Sequence, residues 1–89
     1  MTDAKQPLSA PFPPRNVLTS TEKEILELLA HGWTAREAAG QANLALRTVE
    51  RHVENLRLKM NARNTAHLVA RAFSSGTLKI VKGVARIRS

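Results

Sequence analysis

The chain carries the same signal for the start of a helix twice in its first half. Thr19 is followed three positions later by Glu22, and Thr34 is followed in the same way by Glu37. At this spacing each side chain accepts a hydrogen bond from a backbone N–H that the first helical turn leaves unpaired. The interval between the two signals accommodates only one short helix and a turn, which predicts a chain of short, packed helices.

Apolar residues recur at helical spacing after each signal and again in two later segments. The third segment shows the pattern best, because Val49, Val53, Leu56 and Met60 fall on one face and charged residues on the other. We predict helices at residues 20–31, 35–41, 46–61 and 64–75. The predicted fold class is all-α: a small four-helix bundle containing a helix-turn-helix, with an extended N-terminal tail and a basic C-terminal tail.

The two ends of the chain lack this periodicity. Residues 1–17 contain all four prolines and are predicted to form a flexible tail or linker. The folded domain is predicted at residues 18–76. Residues 77–89 carry four basic and no acidic side chains, and because no partner strand is available to them we expect a basic tail rather than a sheet.

Composition excludes several classes of function. A chain of 89 residues builds one core and leaves little room for an enclosed cleft, and the absence of cysteine excludes disulfides and thiolate metal sites. No serine or histidine has a partner at catalytic spacing, so we predict no enzyme activity, no cofactor and no metal. No apolar stretch is long enough to span a membrane and no signal peptide is visible, so we expect a cytoplasmic protein without a membrane partner.

The net charge of +7 is concentrated in the second half of the chain. Residues 1–44 carry four basic and five acidic side chains, whereas residues 45–89 carry ten basic and two acidic ones. This asymmetry predicts a surface for a polyanion in the second half, although a merely solubilising basic surface is the alternative. With only three aromatic residues to stack on exposed bases, the chain favours double-stranded DNA as the partner.

Several stretches in order and at matching spacing resemble the LuxR/GerE-type DNA-binding domain. They are Leu18–Leu26, Gly32, Arg36–Ala39, Thr48–Val53 and Leu56–Met60. The resemblance covers about residues 18–72. It implies a four-helix domain whose third helix reads duplex DNA and whose fourth helix forms a homodimer on a two-fold symmetric site, as in a transcription regulator on the bacterial nucleoid.

Carried over to this chain, the resemblance implies a role for individual residues. Base contacts are expected from Glu50, Arg51 and Glu54. Phosphate contacts are expected from Arg47, Thr48, Arg57 and Lys59. Dimer contacts are expected from Leu68, Val69, Ala72 and Phe73, which alternatively pack on helix one.

Two departures from the family pattern lie on the third helix. Glu50 replaces a common lysine, and Ala45 replaces the usual serine at the helix start, so a first-turn N–H lacks its side-chain cap. Leu58 lies outside the apolar stripe, and we expect it to pack against helix four or helix one.

The sequence is compatible with other identities. The chain is either a stand-alone regulator or an excised C-terminal domain, and RNA polymerase is a further candidate partner. A polymerase-associated domain similar to region 4 of a sigma factor shares the Leu18-Thr19 start of the first helix, with Glu22 after it, and the Thr48-Val49 pair of the third helix. A third alternative is a small interaction module that dimerises with a full-length regulator and modulates it.

Overall fold

The computed structural model describes residues 17–88, which form four helices followed by a β-hairpin. The elements are α1 (Ser20–Ala30), α2 (Ala35–Ala42), α3 (Leu46–Lys59), α4 (Thr65–Ser74), β1 (Leu78–Val81) and β2 (Val84–Ile87). All four predicted helices are confirmed, and their ends differ from the predicted ones by at most two residues. Apart from Val17, the predicted N-terminal tail lies outside the described residues. None of the helices in residues 17–88 has the length and apolarity needed to cross a membrane.

Side-chain caps determine where α1 and α2 begin. Thr19 Oγ1 accepts a hydrogen bond from the Glu22 N–H at 3.1 Å, and Glu22 Oε1 accepts one from the Thr19 N–H at 2.9 Å. Thr34 and Glu37 repeat this arrangement at 3.1 and 2.8 Å. Both predicted capping boxes are therefore present, whereas Ala45 at the start of α3 provides no side-chain cap.

The hydrophobic core is arranged around α1, which contacts α2, α3, α4 and β2. Every helix contributes at least two buried apolar side chains, and β1 contributes one: Ile25, Leu26, Leu29, Ala38, Ala39, Val49, Leu56, Leu68, Ala72 and Leu78. The buried side of α2 consists only of Ala38 and Ala39. These small side chains let α2 lie close to α3, and this close packing fixes α3 on the domain.

A tight turn of residues 43–45 connects α2 to α3. Asn43 has a φ of 57°, in the left-handed region that asparagine tolerates better than most residues. The Leu44 N–H donates to the Ala39 carbonyl at 2.9 Å, and Leu44 packs against the core. The short connection makes α2 and α3 a helix-turn-helix.

The prediction that residues 77–89 form no sheet is wrong, because both strands lie within that segment. β1 and β2 pair antiparallel with Val81 opposite Val84, so the loop between them is only Lys82 and Gly83. Both loop residues have positive φ, 53° and 80°, as the turns of two-residue hairpins require. Leu78 is buried against the helices, which supplies the packing that an isolated two-stranded hairpin lacks.

Two side chains one turn apart on α1 anchor β2. Glu27 Oε2 accepts a hydrogen bond from the Ile87 N–H at 2.6 Å, and His31 Nε2 donates to the Ala85 carbonyl at 3.0 Å. In this register Ala85 and Ile87 direct their backbone groups away from β1. Glu27 and His31 therefore make the hydrogen bonds to the outer edge of β2 that a third strand would otherwise make.

Candidate nucleic-acid interface

Opposite faces of α3 are apolar and polar. Val49 and Leu56 are completely buried and Met60 is nearly so. The opposite face exposes a continuous row of side chains: Arg47, Glu50, Arg51, Glu54, Asn55 and Leu58. All three residues predicted to contact bases therefore lie together on the solvent-exposed face of α3.

Arg47 and Arg51 supply the unneutralised positive charge of this face. They lie one helical turn apart, and neither forms an ion pair with a side chain of residues 17–88. A guanidinium group binds two phosphate oxygens, or O6 and N7 of guanine, through parallel N–H groups. At the same end of α3, the first turn has no side-chain cap and contains the half-buried Thr48, so its N–H groups remain available to an anion.

Glu54 and Arg57 form a two-pronged ion pair. Arg57 Nε donates to Glu54 Oε1 at 3.0 Å and Arg57 Nη2 donates to Oε2, while Nη1 donates to the Ala62 carbonyl at 2.9 Å. The hydrogen bonds from Arg57 lower the pKa of the Glu54 carboxyl, and those same bonds raise the pKa of Arg57. Arg57, which was predicted to bind phosphate, is thus directed at Glu54 and at the end of α3.

Lys59, also predicted to bind phosphate, is directed into the domain instead. Its Nζ donates to Glu22 Oε1 at 2.7 Å and to the Val17 carbonyl at 3.2 Å. Burial alone raises the pKa of Glu22, but the hydrogen bonds from Lys59 and Thr19 outweigh it, so the pKa is lowered. Since the side chain of Glu22 is only 3% exposed, Lys59 neutralises a buried carboxylate and holds the end of α3 to the start of α1.

The prediction that Leu58 packs against another helix is wrong. Its side chain is 63% exposed, the largest fraction among the large apolar residues of the described chain. Leu58 follows Arg51 by seven positions, which is two helical turns, and so it shares the exposed face. The same spacing in the sequence would have placed it there.

The predicted dimer residues divide into two pairs. Leu68 and Ala72 are 0% exposed and pack α4 into the hydrophobic core. Their side chains are therefore unavailable to a partner, as the alternative of intrachain packing anticipated. Val69 and Phe73 are half-buried and remain accessible on α4.

The described residues provide little for a metal or an enclosed cofactor. Residues 17–88 contain no group of three histidine or acidic side chains placed to hold a metal ion. A groove of about 270 Å³ lies between Trp33, Val53 and Thr65, with Glu50 and Glu54 among its lining residues.

Known proteins share this domain. The relatives include SgaR of Hyphomicrobium methylovorum, a probable transcriptional regulatory protein, which is 39% identical over 57 residues, 64% of this chain and 27% of SgaR. YgeK of Escherichia coli K12, an uncharacterized response regulatory protein, is 34% identical over 73 residues, 82% of this chain and 50% of YgeK. The chain thus spans half or less of the length of these relatives.

Solved structures share the fold as well. The Vibrio cholerae VqmA dimer, a LuxR-type receptor, superposes with a TM-score of 0.66 and 32% identity over 67% of this chain and 27% of VqmA. The transcription factor GerE superposes with a TM-score of 0.62 over 66% of this chain and 88% of GerE. Residues 16–72 match the family model of the bacterial regulatory proteins of the luxR family. The chain therefore belongs to the luxR family and carries its helix-turn-helix DNA-binding domain.

Proposed function

We propose that the chain binds a specific, two-fold symmetric site in duplex DNA as a dimer and thereby regulates transcription, acting on the bacterial nucleoid. The observation that carries this proposal is the exposed row on α3, where Arg47, Glu50, Arg51 and Glu54 stand on a helix whose other face is locked in the core. An α-helix fits the major groove, and the second helix of a helix-turn-helix is the one that enters it.

The exposed side chains take different roles in this proposal. Arg51 donates two hydrogen bonds to O6 and N7 of a guanine. Glu50 and Glu54 accept hydrogen bonds from cytosine N4. Arg47 and Thr48, at the open start of α3, bind phosphate oxygens. In this proposal Arg57 and Lys59 make no phosphate contact, because their charged groups are directed at Glu54 and Glu22.

Two findings support a dimer. The related VqmA of Vibrio cholerae is a dimer with a target DNA. On this chain, Val69 and Phe73 leave an accessible apolar strip on α4. The two recognition helices of such a dimer enter the major groove about one helical turn apart, which predicts half-sites separated by about 10 base pairs.

Selection from a pool of random duplexes, followed by sequencing of the bound fraction, tests the proposal directly. We expect enrichment of a two-fold symmetric sequence. Enrichment of single half-sites would contradict the dimer. Binding no tighter than about micromolar without sequence preference at physiological salt would contradict specific recognition and favour the interaction module.

Matched variants separate base contacts from phosphate contacts. Arg51→Ala is expected to relax the preference at one base pair, at a cost of about 1–3 kcal/mol on the selected site and less on unrelated DNA. Arg47→Ala removes the same charge one turn away and is expected to weaken binding to all sequences while reducing the salt slope by about 1. Equal losses on every duplex for both variants would remove Arg51 from base recognition.

A further inference from the structure

A pocket of about 360 Å³, here called the α1–hairpin pocket, lies where the start of α1, the end of α4 and the base of the β-hairpin meet. Its described lining residues are Val17, Leu18, Lys23, Ser75, Gly76, Thr77, Ile87 and Arg88. Five of these eight lie beyond residues 16–72, the part of the chain that matches the family domain. The pocket therefore depends on the hairpin, which lies outside that match.

The hairpin is fixed to the helices, so the pocket has a defined shape. Leu78 is only 2% exposed, and the Ile87 N–H donates to Glu27 of α1 at 2.6 Å. The Arg88 N–H donates to the Thr77 carbonyl at 2.8 Å, which closes the base of the hairpin. A basic tail that merely solubilised the protein would need none of these contacts.

Two cations from distant parts of the chain line this one pocket, Lys23 on α1 and Arg88 after β2. The ion pairs found within residues 17–88 use Arg57, Lys59 and Arg86, so neither lining cation is paired with a carboxylate of that part of the chain. No acidic side chain is among the described lining residues. Two like charges at one pocket repel each other, and a bound anion removes that cost.

The neighbouring groups are hydrogen-bond donors that suit an anion. Arg88 Nη1 lies 3.6 Å from the point that a Cβ on Gly76 would occupy, so the guanidinium lies beside the backbone of the pocket. Ser75 Oγ and Thr77 Oγ1 are 2.9 Å apart, and donation from Ser75 to Thr77 leaves the Thr77 hydroxyl hydrogen for a ligand. A guanidinium fork, an ammonium and a hydroxyl together match the oxygens of a phosphate group.

The rest of the lining is apolar and consists of Val17, Leu18 and Ile87. These side chains can contact the carbon atoms of a group esterified to the phosphate, as small-ligand pockets commonly combine apolar walls with a few polar groups. The Val17 carbonyl also accepts a hydrogen bond from Lys59 at 3.2 Å, which places the pocket beside the C-terminal end of α3. A backbone phosphate of DNA bound by α3 is therefore one source of such a group.

We propose that the α1–hairpin pocket binds the phosphate group of a phosphate ester through Lys23 and Arg88. The ester is either the sugar-phosphate backbone of DNA or a free small molecule, and both present the same chemistry to the pocket. This inference goes beyond the proposed function, because the binding uses no side chain of the exposed row on α3.

Titration of the full chain with ribose 5-phosphate, followed by NMR of the backbone amides, tests the pocket without DNA. We expect saturable shifts centred on Gly76 and Thr77 with a Kd of about 1 mM, and none with ribose at the same concentration and ionic strength. Lys23→Gln and Arg88→Gln should each weaken this binding by about tenfold, because each removes a charge-assisted hydrogen bond.

Lys82→Gln is the matched control, since it removes a lysine from the hairpin turn, which is not part of the pocket lining. All three substituted side chains are exposed, so unchanged thermal unfolding is expected. The control should keep the affinity for ribose 5-phosphate within about twofold. An equal loss in Lys82→Gln would show attraction by net charge alone and would overturn the proposal. Absence of saturable shifts at Gly76 and Thr77, or equal shifts with ribose, would overturn it as well.

The same variants, titrated with the duplex found by selection, identify the source of the phosphate. If DNA occupies the pocket, Lys23→Gln and Arg88→Gln should each reduce the salt slope by about 1, and ribose 5-phosphate should compete with the duplex. If the ligand is a free ester, the salt slope stays unchanged in both variants while the loss of ribose 5-phosphate binding persists. Failure of the unsubstituted chain to enrich any duplex would contradict the proposed function, whereas the NMR titration would still decide on the pocket.

Discussion

The ammonium group of Lys59, at the end of α3, lies 2.7 Å from Glu22 Oε1, at the start of α1. The same Glu22 oxygen accepts the capping hydrogen bond from the Thr19 N–H. One buried carboxylate thus closes the first turn of α1 and fixes the C-terminal end of α3. This ion pair therefore adds to the core packing of Val49 and Leu56 in holding α3, and with it the exposed row, on the domain.

Replacing Lys59 by methionine should destabilise the fold by about 2 kcal/mol, because it leaves a buried carboxylate without its cation. Methionine keeps most of the apolar stem of the side chain, so the loss reports mainly on the charge. The free energy of unfolding is measured in denaturant from the fluorescence of Trp33, the single tryptophan. Lys79→Met, on the exposed strand β1, is the control, and a loss for Lys59→Met no larger than the control value would contradict the role assigned to this pair.

The lowered pKa of Glu22 predicts a loss of stability in acid. Because the folded-state pKa is below that of the unfolded chain, the stabilisation is fully present above the unfolded carboxyl value of about 4.3. It disappears as the pH falls through the folded-state pKa. The denaturant midpoint should therefore be constant from neutral pH down to about pH 4.5 and decrease at lower pH. Glu22→Gln should be less stable at neutral pH and less sensitive to acid, and an unchanged acid dependence would exclude Glu22 as a source of the decline.

The two-pronged ion pair between Arg57 and Glu54 predicts that Arg57 affects base recognition by orienting Glu54. Arg57→Gln should relax the preference at the base pair that Glu54→Gln also relaxes, because the carboxylate loses the group that orients it. The salt slope of binding should stay the same in Arg57→Gln, in contrast to a reduction of about 1 in Arg47→Gln. A salt slope reduced equally in both variants would show that Arg57 contacts phosphate, as the resemblance implied.

The hairpin contributes to the core through Leu78, which is 2% exposed. Leu78→Ala should destabilise the domain by about 3 kcal/mol, because it removes buried apolar contacts and leaves a cavity. Ile80→Ala truncates a neighbouring side chain that is 60% exposed and should change stability by less than about 0.5 kcal/mol. Similar unfolding free energies for the two variants would mean that the hairpin packs on the helices without stabilising them.

The parts of the fold predicted from the sequence depend on local signals. The capping boxes at Thr19 and Thr34 involve residues three positions apart, and the exposure of Arg47, Arg51 and Glu54 follows from helical periodicity alone. The helix-turn-helix needs only these signals and a short turn. For this reason the sequence alone predicts the helices and the exposure of Glu50, Arg51 and Glu54.

The features that were not predicted depend on packing between distant residues. Lys59 and Glu22 are separated by 37 positions, and only the crossing of α3 over α1 brings their charges together. The hairpin turn has Lys82 where asparagine or aspartate usually signals a two-residue loop, and its stability comes from contacts with α1 that periodicity does not show. Leu68 and Ala72 lie on the apolar stripe of α4, and a stripe alone does not distinguish packing within the chain from packing on a partner.

The start of α3 offers a way to stabilise the domain. Ala45 has the extended backbone of an N-cap residue, with φ −68° and ψ 146°, yet it makes no side-chain hydrogen bond. A serine at this position can accept from the Thr48 N–H, so Ala45→Ser should stabilise the fold by about 1 kcal/mol and raise the thermal midpoint by about 4–8 °C. Ala70→Ser, at an exposed position in the interior of α4, adds the same hydroxyl where the backbone N–H groups are already bonded within the helix, and should be neutral or slightly destabilising. Thermal unfolding followed by circular dichroism compares the two, and a midpoint for Ala45→Ser at or below that of the unsubstituted chain would show that the first-turn N–H groups are already satisfied.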